Sequence, residues 1–133
     1  MRMVTLATGS LAALVLLAGA CSSATSATSA ARSSGMCQFV TDAGVVYSCS
    51  TLTNLTSTGL AENCPAPGQF TAAESCSSAN AVGTCTITLS ANGASIIAYY
   101  YAPNTCEEAQ TSCSASMSAA AAGTTVSFQG NGC

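Results

Sequence analysis

Nine cysteines carry most of the chemistry open to this 133-residue chain: Cys21, Cys37, Cys49, Cys64, Cys76, Cys85, Cys106, Cys113 and Cys133. Cysteines can exchange electrons, hold a metal or close disulfides, and spacing separates these roles. Redox exchange is commonly built on Cys-x-x-Cys, where the thiolate is stabilised. No two of the nine stand that close. A metal site of cysteines alone needs thiols kept reduced. A small chain this rich in cysteine reads instead as a disulfide framework made in an oxidising compartment. No metal and no cofactor is expected. The count is odd, so one cysteine lacks a disulfide partner within the chain.

Other catalytic groups are scarce. The chain has no histidine, which excludes Ser–His and Cys–His pairs and histidine-ligated metals. Its two basic residues are Arg2 and Arg32, so residues 36–133 offer no lysine for a Schiff base or a phosphate loop. The five acids there are Asp42, Glu62, Glu74, Glu107 and Glu108. Glycoside hydrolysis needs two carboxylates set across one bond. These are scattered, and adjacent Glu107 and Glu108 on a helix point roughly 100° apart. The chain is therefore not expected to be an enzyme. With acids and no base, residues 36–133 have no patch for nucleic-acid phosphates and none for anionic lipid headgroups. What remains is Tyr99 and Tyr101 beside the row Thr84, Thr86 and Thr88. Aromatic faces next to hydroxyls suit a glycan or small ligand. The competing assignment buries both tyrosines beneath a helix.

The chain begins with Arg2 and an apolar run, Leu6 to Ala20, too short for the roughly 20 residues of a spanning helix. It ends in Ala18-Gly19-Ala20. Residues 1–20 therefore read as a signal peptide. Cys21 follows at once, and the segment resembles a bacterial lipobox, with Ala18 where leucine is commonest. The resemblance implies lipidation of Cys21, which would account for the odd cysteine and anchor the protein in a membrane. Plain secretion, or release to the periplasm, is the alternative. Residues 21–35 are small and polar and form a tether. An aspartate after the lipidated cysteine resembles the inner-membrane retention signal. Ser22 stands there, which points to the outer membrane.

Residues 36–133 form one cysteine-rich domain, expected to be α+β and mainly β. Fifteen Leu, Ile, Val and Phe side chains in this stretch fall below the roughly 20% that accompanies a packed domain, so cross-links must substitute for core. "TCTITLSANGASIIAYYY" alternates strictly around Asn92-Gly93 and predicts a hairpin with Ala91 beside Ala94. Cys85, Ile87, Leu89, Ile96, Ala98 and Tyr100 then share the core face. "CQFVTDAGVVYSC" predicts a second hairpin around Asp42-Ala43-Gly44. Phe39 would oppose Tyr47, Cys37 would oppose Cys49, and Val45 would join the core face. "NTCEEAQTSC" predicts a helix capped by Asn104 or Thr105, continuing toward Ala122 and ended by Gly123. Gly59 to Cys64 is the only helical stretch in the first half. Thr124 to Gln129 predicts a last strand.

The two halves, 36–76 and 82–133, echo each other. Cys37 to Cys64 spans 27 residues and Cys85 to Cys113 spans 28; each second cysteine precedes a phenylalanine, Phe70 or Phe128, and then another cysteine. A degenerate duplication with two β-hairpins follows. Eight cysteines admit about a hundred pairings, and duplication narrows them. Helices packed on the phenylalanine-bearing strands predict Cys64–Cys76 and Cys113–Cys133. The hairpin register predicts Cys37–Cys49, which leaves Cys85–Cys106.

"VGTC" (Val82 to Cys85), "YYYAP" (Tyr99 to Pro103) and Cys113 resemble small cysteine-rich predicted lipoproteins of Gram-negative bacteria. The resemblance covers Cys64 to Phe128 and implies a fold but no functional residues. The expected function is a structural or protein-interaction module at the cell envelope. Glycan or small-ligand binding through Tyr99 and Tyr101, or a secreted inhibitor or toxin, are the alternatives. The partner is an unknown protein or glycan, not nucleic acid.

Overall fold

A computed structural model describes residues 31–133. The predicted signal peptide, Cys21 and most of the predicted tether lie outside the described residues. The order of elements is β1 (Arg32–Val40), β2 (Val46–Thr56), α1 (Ser57–Asn63), β3 (Gln69–Ala72), β4 (Gly83–Leu89), β5 (Ala94–Tyr100), α2 (Cys106–Ser118) and β6 (Thr124–Gly130). The fold is α+β and mainly β, with four disulfides. β1 begins inside the predicted tether, where Arg32 pairs with Thr56 and its guanidinium donates to the Asn54 carbonyl.

Both halves run strand, strand, helix, strand. The single antiparallel sheet has the order β3-β1-β2-β5-β4-β6, which reads the same from either end. A pseudo-two-fold axis therefore passes between β2 and β5. One row across the sheet makes the symmetry visible: Phe70, Cys37, Ser50, Ala98, Cys85 and Phe128 are successive partners. Within each half the helix joins two strands that flank the half's first strand. It must cross over that first strand, as in a split β-α-β unit. Both helices are tied to this row, α1 through Cys37–Cys64 and α2 through Cys85–Cys113, and so share one face.

Two small clusters form the core on that face. One is Cys37, Leu52, Leu55, Ala94 and Ile96; the other is Cys85, Ala98 and Cys113. Thr105 caps α2 in a reciprocal capping box, its hydroxyl accepting from the Glu108 N–H while the Glu108 carboxylate accepts from the Thr105 N–H. Glu107 and Glu108 thus sit in the first turn, where the dipole favours acids. The helix stops at Ser118, before the alanine run ends, and Gly123 turns the chain into β6 at φ +84°.

Gly35 and Gly83 occupy matching places, two residues before Cys37 and Cys85. Each lies under the ring from the half's edge strand, Phe70 or Phe128. A Cβ on Gly83 would meet Phe128 Cε2 at 2.8 Å and Ala109 Cβ at 2.9 Å. Overpacking of this kind costs about 1–3 kcal/mol. Gly83→Ala should lower the melting temperature by several degrees, and Gly35→Ala should lower it at least as much, because its Cβ would meet the Thr71 backbone carbonyl oxygen as well as Phe70 Cζ at 2.7 Å. Thermal circular dichroism checks this, and an unchanged midpoint in both variants would show that the rings move aside freely.

Candidate functional site

The face opposite the helices carries the side chains that alternate with the core row. Thr84, Thr86 and Thr88 stand there, paired across β5 with Tyr99, Ile97 and Ser95 and across β6 with Gln129, Ser127 and Thr125. This surface has hydroxyls, amides and one aromatic ring but no formal charge. No helix covers it. Tyr99 is half-buried and lies on this open face. Tyr100 lies on the helix face, where burial pushes its phenol above the ordinary value.

The segment joining the halves, residues 73–82, leaves edge strand β3 and straps across the same open face to β4. Four ties hold it. Cys76 bonds to Cys49. The Cys76 N–H donates to Thr51 Oγ1 at 2.9 Å. The Tyr101 hydroxyl donates to the Ser77 carbonyl. Asn131 Nδ2 donates to the Ala81 carbonyl at 2.7 Å. Ala73 and Asn80 take left-handed backbone, at φ 59° and 62°. Between strap and sheet is an open cleft of about 490 Å³. Met36, Val46 and the Cys49–Cys76 pair form its apolar part, and Gln38, Glu74, Asn80 and Tyr101 supply polar atoms. Burial, and then the neighbouring Tyr99, raise the Tyr101 phenol, which stays protonated and can donate to Ser77.

The disulfides differ from all four expected pairs. They are Cys37–Cys64, Cys49–Cys76, Cys85–Cys113 and Cys106–Cys133. Cys37–Cys49 fails because of a one-residue slip. A bulge places Phe39 opposite Ser48 and Val40 opposite Val46, so Cys37 faces Ser50. A slip of one turns a side chain to the other face, and Cys49 points to the open face while Cys37 points to the helices. Val45 is 51% exposed, in the loop. Cys64–Cys76 and Cys113–Cys133 fail because the helices cross over the first strand of each half, not the edge strand. Cys64 therefore meets Cys37, and Cys113 meets Cys85. Cys85–Cys106 fails with them, since Cys106 is left for Cys133. The sequence held a signal for the true pairs: every bonded pair is 27 or 28 residues apart.

The β4–β5 hairpin is displaced by two residues. Leu89 pairs with Ala94, around a longer turn closed by the Leu89 carbonyl. A shift of two preserves faces, so Tyr99 and the threonines are where the sequence puts them. Tyr101 lines the cleft while Tyr99 stands in the rows. Among the described residues no three His, Cys, Asp or Glu side chains are grouped to hold a metal, and no helix is long and apolar enough to cross a membrane. No protein-family model, curated protein or solved structure matches the chain.

Proposed function

We propose that the protein is a non-catalytic docking module exported to the cell envelope, tethered through lipid on Cys21, that presents the open sheet face to a partner protein. The observation that carries this reading is the sheet face that no helix covers. Six strands are held rigid by four disulfides, both helices lie behind, and the exposed rows are free of charge. A neutral face of hydroxyls, Ile97 and Tyr99 can be desolvated without stranding an ion, so it suits a partner surface that is itself uncharged. Oxidised cysteines agree with an envelope location. The absence of histidine throughout the chain, and of lysine after the tether, supports binding over catalysis.

The test is photo-crosslinking in the native host. A crosslinker at position 86, on the open face, should give a discrete envelope adduct. One at Gln110, exposed on α2, should not. Adding Thr88→Lys should reduce the adduct several-fold, because a charge must then be desolvated. Equal labelling at both positions, or none at 86, overturns the reading. Cys21→Ser should move the protein to the soluble fraction; retention in the membrane overturns the lipid tether alone.

A second reading rests on Tyr99 and Tyr101, which lie on the open side of the sheet and not beneath a helix. Glycan binding on this side is supported by their position beside the threonine rows.

A further inference from the structure

The cleft beneath the 73–82 strap is distinct from the threonine rows. We propose that it is a binding site for one unit of an uncharged sugar. This deepens the glycan reading and rests on it, and it locates recognition under the strap instead of on the flat rows.

The chemistry of the lining selects the class. Glu74 is the only charged side chain among the residues that line the cleft, and no cation lies there. An anionic ligand would meet a carboxylate with nothing to offset it. Nucleotides, phosphates and acidic sugars are therefore disfavoured. The polar atoms are of mixed character: Gln38 and Asn80 amides donate and accept, and the Glu74 carboxylate accepts only. Sugar hydroxyls also do both, and neighbouring hydroxyls can meet a planar amide or carboxylate two at a time. A sugar ring also has an apolar C–H face, and the cleft offers Met36, Val46 and the Tyr101 ring to it. The volume of about 490 Å³ lies in the range of small-molecule sites, roughly 300–1,000 Å³.

The strap is also built as a site wall would be. It is fixed at Cys76, Ser77 and Ala81 before any ligand arrives, which lowers the ordering cost of binding. Ala73 is held left-handed without the freedom of glycine, a local strain that binding sites commonly store. Asn80, the other left-handed residue of the strap, lines the cleft. Cys76 ties the strap to β2, whereas Cys133, the cysteine after β6, returns to Cys106 at the start of α2.

The experiment titrates cellotetraose, maltotetraose and N-acetylchitotetraose separately into the oxidised, isotope-labelled protein and follows amide signals. At least one should shift the side-chain amides of Gln38 and Asn80 while Thr86 and Thr88 stay in place. Gln38→Ala and Glu74→Ala should each weaken that binding about tenfold or more with the melting temperature unchanged. Thr86→Lys should leave it unaltered. Shifts confined to Thr84, Thr86 and Thr88, abolished by Thr86→Lys, would keep glycan binding and overturn the cleft. No binding of any of the three overturns the sugar site, and a position-86 adduct would then stand for protein docking by itself. Binding unaffected by both cleft variants also overturns it.

Discussion

Full reduction is expected to unfold this domain at room temperature, where the oxidised form is folded. Each link closes a loop of 27 or 28 residues. In the chain-entropy model such a loop stabilises by about 3.5 kcal/mol. The two links of each half overlap in sequence, so the second adds less than the first. Even two independent closures approach the whole net stability of a small domain, about 5–15 kcal/mol. The packing has little to set against that loss. The largest fully buried side chains are Leu52 and four half-cystines, Cys37, Cys49, Cys85 and Cys113. The sulfurs are a large part of the core. Reduction with a phosphine, without alkylation, breaks the links and adds no more than a hydrogen to each sulfur. Far-UV circular dichroism should then lose its sheet signal. A reduced protein melting within a few degrees of the oxidised one would show that apolar packing suffices.

Legibility in the sequence followed the arithmetic of faces. The β4–β5 hairpin was legible because alternation over seven residues on each side fixes which side chains are inside. The turn is longer than Asn-Gly alone predicts, and the register moves by two, yet every residue keeps its face. The β1–β2 hairpin was misplaced by one. The bulge near Phe39 and Val40 is a local choice of backbone with no residue signature here, and one extra residue sends Cys49 to the far side. That single slip undid the Cys37–Cys49 pair. α2 was legible from its capping box, whose partners are four residues of contiguous sequence. α1 carries only Leu60 as a sizeable apolar residue and is held by its tie to β1, so periodicity could show little more than a short helical stretch. The pairing of the remaining cysteines depended on strand order. Sequence shows that a helix precedes the phenylalanine-bearing strand. It does not show that this strand lies beyond the half's first strand, which is why each helix cysteine meets the middle of the half and not its edge. The strap was illegible for the same reason. Residues 73–82 read as a polar connection, and only the position of Cys49 makes them a wall.

Removing two different disulfides of nearly equal loop length should have unequal consequences. Cys85–Cys113 spans 28 residues and Cys106–Cys133 spans 27, so loop closure alone predicts the same loss for both. Burial separates them. Cys85 and Cys113 are 1% and 0% exposed and, with Ala98, make up the buried part of the second cluster. Ile87, Tyr100, Val126 and Phe128 pack around them. Cys133 is exposed at the end of the chain and Cys106 is half-buried at the start of α2. The double variant Cys85→Ala with Cys113→Ala therefore loses a link and leaves a void where two sulfurs were, and the void adds its own cost. α2 also loses the tie that seats Ala109 and Cys113 against the sheet. Cys106→Ser with Cys133→Ser loses a link alone, and only the segment after β6 is released. Loss of a native disulfide in a small domain costs about 2–5 kcal/mol. The buried pair should fall at or above the top of that range and the terminal pair near the bottom. At about 4–8 °C per kcal/mol for a domain of this size, the buried-pair variant should melt at least 10 °C below the terminal-pair variant. Graded reduction of the unaltered protein should agree, since exchange requires access to a sulfur. Cys106 and Cys133 should become alkylable first, and Cys85 and Cys113 last. Equal melting temperatures for the two variants, with no order of reduction, would mean that the buried sulfurs contribute loop closure and nothing to the packing of the core.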